Sequence, residues 1–292
     1  MANASVLRSP PTDVAASAIS GGAWRPGLPL PNLLTQDPQR VARTTNANLS
    51  STQFRVDCGR PSLISQFALI NHNMTTAGLV RLVLTDSATN AGTPTYDSGW
   101  VPAWEQTVVW GSLPWGVFPW DLIDTTAYPA GAMLLHTIPP NAQGQVGRTA
   151  RYVFVYLDDT TNPDGFLQIG RFLGGWAWSP KVNAAWGGNL RWVDPSEVKR
   201  TAGGRRIVKK RPKYRVLELS FEALTEADAM GTAETISRAL GKSGELLICL
   251  DPDAPPAVRF RNTLYGALSD TSPIVAAGPD RWTWRLTVEE IN

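Results

Sequence analysis

Short apolar runs broken by turn residues dominate the first two-thirds of the chain. Their spacing predicts strands at Gln53–Val56, Leu63–Asn71, Leu79–Thr85, Thr95–Val101, Met133–Ile138, Arg151–Leu157, Phe166–Leu173 and Trp176–Lys181. Arg151–Leu157 is apolar on both faces, with Tyr152, Phe154 and Tyr156 on one and Val153, Val155 and Leu157 on the other. That pattern predicts a strand covered on both sides, as in the middle of a sandwich. Asn162-Pro163-Asp164-Gly165 is a strong turn signal between two of these strands. Many short strands joined by such turns imply an antiparallel sandwich of jelly-roll type.

The pattern changes after about Pro180. Tyr214–Phe221 reads as a strand. Thr225 can cap a helix running to about Leu240, with Asp228 three residues on and Gly241 as its stop. Met230, Ala233, Ile236 and Leu240 fall on one face of that helix. Glu245–Leu250 reads as a short buried strand and Val258–Leu268 as a longer one. Arg281–Glu289 alternates cleanly, with Trp282, Trp284, Leu286 and Val288 facing inward. The fold class that follows is mainly β: an N-terminal jelly-roll β-sandwich followed by a smaller β-domain with one packed helix. Residues 1–35, with Pro26, Pro29 and Pro31 close together, read either as an extended arm that packs on a neighbour or wraps the first domain, or as a flexible disordered segment. The sandwich then spans 36–182, with a Trp-rich insertion at 100–132. The second domain spans 183–292 and carries a basic loop at 199–213.

That insertion is the least regular part of the chain. Trp100, Trp104, Trp110, Trp115 and Trp120 crowd into it among Pro102, Pro114 and Pro119, with neither a helix nor a strand period. Large aromatics on a loop are costly unless they pack or bind. Three readings stay open: a local core under the loop, a wedge against a partner subunit, or a platform for a sugar ring. The candidate glycan-binding residues are Trp104, Trp110, Trp115 and Trp120.

Charge adds a second feature. The 292 residues carry a net charge of +2, yet Lys199–Arg215 holds nine Lys or Arg and no acid, which leaves −7 (2 − 9) for the remainder. A solvated hairpin or arm that presents charge to an acidic neighbouring subunit accounts for this run. Nucleic acid is the weaker reading, because no aromatics for base stacking interleave the basic residues. Arg205, Arg206, Lys209, Lys210 and Arg211 are the candidate partner contacts. The two cysteines, Cys58 and Cys249, are far apart, match no metal or redox spacing, and read as buried free thiols of a chain made in a reducing cytoplasm. No apolar run approaches a membrane span.

Reactive motifs are rejected in turn. Gly241-Lys242-Ser243 lacks the leading glycine of a phosphate loop, since that position is Ile236. Asp158-Asp159 and Asp251/Asp253 sit among turn residues, where a structural calcium is the only alternative use. Two histidines are too few for a His-based site, and no nucleophile elbow is visible. Glycan hydrolysis would need two carboxylates about 5–10 Å apart in a cleft, and no such pair is singled out. No enzyme, cofactor or resident metal is expected.

Two stretches resemble the galactose-binding-like, discoidin-type jelly roll: Phe54–Asp57 followed by Leu63–Asn73, and Arg151–Leu157 followed by Phe166–Phe172. Tyr96-Asp97-Ser98-Gly99-Trp100 is similar to a phrase common in phage virion proteins that carry such a domain. The strand ending at Phe221, the helix from Thr225, the strand Leu246–Leu250, Tyr265-Gly266 and the closing Val288-Glu289-Glu290 resemble the β-domains of bacteriophage distal tail and tail-tip proteins. The resemblance implies a structural component of a tail tip. It would be made in the host bacterial cytoplasm and assembled as a homo-oligomeric ring in the virion, against tail tube, hub or baseplate subunits. The sandwich would then be a decoration or glycan-contacting module. The alternative is a carbohydrate-binding adhesion module that attaches to host surface glycans. The Trp-rich insertion lies outside the family pattern.

Overall fold

The computed structural model describes residues 3–8, 12–114, 116, 120–125 and 132–291. In chain order the strands are β1 (Ser5–Arg8), β2 (Ile19–Ser20), β3 (Ala42–Arg43), β4 (Gln53–Ile64), β5 (Gln66–His72), β6 (Leu79–Thr85), β7 (Tyr96–Pro102), β8 (Ala132–Thr137), β9 (Arg148–Asp158), β10 (Gln168–Gly175), β11 (Ala177–Trp178), β12 (Asn189–Val193), β13 (Glu197–Arg200), β14 (Arg206–Lys209), β15 (Tyr214–Leu224), β16 (Glu245–Cys249), β17 (Thr263–Leu268), β18 (Ile274–Gly278) and β19 (Arg281–Glu290). The α-helices are α1 (Glu234–Leu240) and α2 (Pro256–Arg261). Two compact units emerge: the chain up to Ser179 together with Ile248–Thr263, and Pro180–Leu247 together with Leu264 onward.

The first unit is a β-sandwich. One sheet has the order β2-β4-β9-β6-β7 and the other β3-β10-β5-β8. Neighbouring strands run antiparallel, as in Val153 opposite Val56 and Leu173 opposite Ala68. Between the sheets lie Phe54, Val56, Val80, Leu82, Val153 and Val155 from one and Phe67, Leu69, Leu134, Ile169 and Phe172 from the other. Phe54 and Phe172 meet edge to face at 5.3 Å. The alternation seen in β9 therefore has one dry face. The other, carrying Tyr152, Phe154 and Tyr156, is only half-buried. This corrects the expectation that both faces are covered: the aromatic side is flanked by guanidinium groups, not by another sheet.

The N-terminal segment wraps this sandwich. Ile19 pairs with Val56, and Leu30 and Leu33 enter the core. The Thr12 hydroxyl bonds both the carbonyl and the amide of Gly174. Arg171 is fully buried, donates to the Leu33 carbonyl at 2.9 Å and approaches Asp13 at 3.4 Å. A buried guanidinium left unpaired would be strongly destabilising, so these bonds also fix the segment.

In the second unit β17, β19, β15 and β12 lie side by side, and β18 adds to β19. Leu217, Leu219 and Phe221 of β15 stand opposite Val288, Leu286 and Trp284 of β19. The helical segment begins seven residues earlier than α1, as a π-helical stretch Ala227–Ala233. The Thr225 hydroxyl accepts from the Asp228 amide and donates to its carboxylate, and Gly241 ends α1 at φ 51°. The wider π-turn shifts the face, so Ala229, Ala233, Ile236 and Leu240 are buried while Met230, expected inside, is exposed. Val258–Arg261 is helix, not the start of a strand. Pro256 presets the first helical turn, and Ala257 and Phe260 are buried at helical spacing. Both thiols are free, but only Cys249 is buried and Cys58 is half-buried. Among the described residues no helix is long and apolar enough to cross a membrane.

Candidate functional site

The excursion joins β7, at the edge of one sheet of the sandwich, to β8, at the edge of the other. Its start is packed inward. Ala103 and Trp104 belong to the core, and the Trp104 indole N–H donates to the Met74 carbonyl at 2.7 Å. The same ring meets His72 edge to face at 5.3 Å. His72 is buried, and desolvation holds its pKa down to about 4 against smaller opposing pulls from the Ala103 backbone and the Asp159 carboxylate. Trp104 is 7% exposed. It is thus a pillar under the loop and not a face for a ligand, because its ring and its donor are both engaged within the fold.

Beyond Trp104 the loop is closed at its neck. The amides of Thr107 and Val108 both donate to the Leu122 carbonyl. The Thr107 hydroxyl accepts from the Asp124 amide at 2.6 Å and donates to the Asp124 carbonyl at 3.3 Å. Leu122 is held at φ 61°, a costly conformation for a branched side chain that the clasp sustains. Glu105 is anchored to Arg259 at 3.0 Å, and burial pushes its pKa up. Above this neck Trp110 and Trp120 are 64% and 82% exposed. Trp115 lies outside the described residues.

The basic segment forms a two-stranded hairpin in the second unit. Glu197 pairs with Lys209, Val198 with Val208, Lys199 with Ile207 and Arg200 with Arg206. Every one of these eight strand residues is exposed. The turn is tied by the Thr201 hydroxyl, which accepts from the Arg205 amide. Arg205, Arg206, Lys209 and Lys210 make no side-chain hydrogen bond or ion pair among the described residues. Arg211 instead reaches Glu197 of its own hairpin at 2.9 Å. Arg215 leaves the basic surface altogether: it is buried and bonds Glu290 through its amide and its guanidinium.

A third surface had no flag in the sequence. The outer face of the five-stranded sheet sets Gln53, Tyr156, Arg81 and Trp100 in one row across β4, β9, β6 and β7. Phe154 and Tyr156 lie nearly parallel, at 6.4 Å and 11°. Asn90 donates to the Tyr156 hydroxyl at 3.2 Å. Two forked ion pairs frame the face, Arg81 with Asp97 and Arg151 with Asp57. Each arginine holds its carboxyl below the usual carboxylate range. The only available signal was the alternation of three aromatics in β9, and alternation alone cannot say which face is open. Among the described residues no three of His, Cys, Asp and Glu gather as metal ligands.

No family model matches the chain, and no curated protein matches it. Solved structures similar to it include the lectin domain of lectinolysin complexed with Lewis B antigen, at 13% identity and TM-score 0.36, covering 57% of this chain and 97% of that one. A fucose binding module of Streptococcus pneumoniae is 12% identical at TM-score 0.32, covering 54% and 89%. A fucolectin from striped bass (Morone saxatilis) serum is 11% identical at TM-score 0.34, covering 94% and 90%. These neighbours are carbohydrate-binding proteins. At such scores their ligands carry no implication for this chain.

Proposed function

We propose that the sandwich is a carbohydrate-recognition module that engages its ligand through Trp110 and Trp120, by binding without turnover. One observation carries this reading. Two indoles stand exposed on a loop that is clasped at its neck by Thr107, Leu122 and Asp124 and pinned beneath by Trp104. An exposed indole offers a flat apolar surface, which suits the apolar face of a pyranose. The clasp holds the two ends of the loop together before a ligand arrives, so less entropy is lost on binding.

Titrating the full chain with a panel of neutral oligosaccharides, while following tryptophan emission, tests the reading. A saturable response that Trp110→Ala and Trp120→Ala each weaken supports it. A response unchanged in the double variant, or none with any glycan, refutes it.

A second reading, a subunit of a virion tail ring, is favoured by the hairpin. Opposed Arg200 and Arg206 repel each other across an isolated two-stranded ribbon, which is at best marginally stable alone. An acidic neighbour would relieve both problems. The partners would be further copies of the chain and the tail tube, hub or baseplate proteins that the resemblance implies. Mass measurement of the full chain across a concentration series tests it. Assembly that Arg205→Glu with Arg206→Glu disrupts supports the ring, and a monomer at every concentration speaks against it.

A further inference from the structure

The outer face of the five-stranded sheet contains a groove of about 330 Å³, lined in part by Ser20, Gly21, Gly22, Gln53, Arg55 and Phe154. Its size lies within the range of small-ligand sites, roughly 300–1,000 Å³. Phe154, backed by the parallel ring of Tyr156, is an apolar surface within it. The loop Ser20–Gly22 borders it and is pressed close to β4. A Cβ on Gly22 would fall 2.3 Å from the Gln53 carbonyl oxygen, and φ is +66°, so only glycine serves there.

Arg55 is fixed in this groove by the Ser20 hydroxyl at 3.2 Å and by the Ala88 carbonyl. Its Nε is buried and has no hydrogen-bond partner among the described residues. Arg55 lowers the pKa of Asp57 through space, but both oxygens of that carboxylate are taken by Arg151. Among the described residues no carboxylate hydrogen-bonds to Arg55 itself. Gln53 donates to the Ser50 carbonyl, which leaves its own amide oxygen as an acceptor among the described residues. A guanidinium without a bonded counter-ion therefore stands beside a flat aromatic ring and a side-chain amide.

We propose that this groove binds an acidic sugar residue of the uronic-acid class, with the apolar face of the pyranose on Phe154 and its carboxylate at Arg55. A charge-assisted bond to guanidinium is about twice as strong as a neutral one, so the acid is selected over its neutral counterpart. A free carboxylate of a peptide would satisfy Arg55 but leave the ring unused. The site shares no residue with the excursion and stands whether or not Trp110 and Trp120 bind a glycan.

The test is calorimetric titration of the full chain with methyl β-D-glucuronide and with methyl β-D-glucoside. The glucuronide should bind about ten-fold more tightly or better. Arg55→Gln should bring the two to within about two-fold, Phe154→Leu should weaken both, and Trp110→Ala with Trp120→Ala should change neither. Equal affinity for the two sugars, a preference retained in Arg55→Gln, absence of glucuronide binding, or loss only in the tryptophan double variant would each overturn the assignment. So would competition by an aspartate-rich tetrapeptide as effective as the glucuronide. Thermal melts of Arg55→Gln show whether it folds. If it does not, Phe154→Leu decides alone: unchanged glucuronide affinity in that variant refutes the site.

Discussion

The excursion and the basic hairpin are both protrusions, and they solve the problem of standing out in opposite ways. The excursion sinks one large aromatic, Trp104, into the core and closes its neck with hydrogen bonds before exposing Trp110 and Trp120. The hairpin buries none of its eight strand residues and sets like charges face to face. Buried apolar area stabilises the first, whereas the second has its ladder bonds, its turn and the exposed Arg211–Glu197 ion pair. A protrusion anchored from within is ready to bind. One that lacks an anchor gains most of its order from whatever it meets.

Removing the anchor is the strongest way to break that contrast. Trp104→Ala should cost about 3–5 kcal/mol of stability, the usual penalty for deleting a buried tryptophan, and should abolish any emission response from the excursion. Denaturant unfolding of the variant against the parent chain checks the first part and glycan titration the second. Acid should weaken the same anchor more gently. His72 packs against Trp104 with a pKa near 4 in the folded state, against 6.5 ordinarily. A depressed base contributes stability that is complete above pH 6.5 and is lost as pH falls toward 4, by roughly 3 kcal/mol at most. Melting curves between pH 7 and pH 4.5 should show that loss. His72→Leu should reduce that loss, with a share of the slope left from His136, whose pKa burial also lowers.

A subtler change turns the excursion toward the hairpin's condition. Thr107→Val keeps shape but removes the hydroxyl that closes the neck, leaving the Asp124 amide without its acceptor. We expect a loss of about 1–3 kcal/mol and weaker glycan binding with both exposed indoles intact. A variant that keeps full affinity would show that the clasp does not pre-order the loop.

Much of this was readable from the chain. The strand pattern of the sandwich follows from alternation, and the predicted positions of β5, β6 and β9 lie within a few residues of the observed ones. What alternation could not reveal was the environment of a face. Tyr152, Phe154 and Tyr156 carry the periodicity of a buried row, yet they are only half-buried, and Arg55 and Arg151 sit over Tyr152 in place of a second layer. The tryptophan cluster was visible as a cluster, but the difference between Trp104 and Trp110 is one of tertiary contact, set by the Met74 carbonyl thirty residues away. The same holds for Arg215, which reads as part of a charge run and is buried by Glu290 at the far end of the chain. The strands β12 and β18 went unread because they lie at the edge of their sheet, where polar and small residues blunt the pattern. The helix at Val258–Arg261 was masked by β-branched and aromatic residues whose propensity the preceding prolines override.

The smallest expected effect bears on the hairpin itself. Arg200 and Arg206 are directly opposite, and a like-charged cross-strand pair destabilises a ribbon where an opposite pair supports it by about 0.2–1 kcal/mol. Arg200→Glu should therefore slow amide hydrogen exchange along β13 and β14 by a few-fold. The denaturation midpoint should stay put, because the ribbon opens locally without unfolding the sheet beside it. Exchange across the neck of the excursion should not change. If Arg200→Glu instead raises the global midpoint, the hairpin is coupled to the folding of its unit. The contrast between an anchored protrusion and an unanchored one would then fail on the hairpin's side. If exchange stays fast although the repulsion is gone, the ribbon lacks apolar cover more than it lacks favourable charge. A partner that orders it would then have to supply contacts for Val198 and Val208 as well as carboxylates.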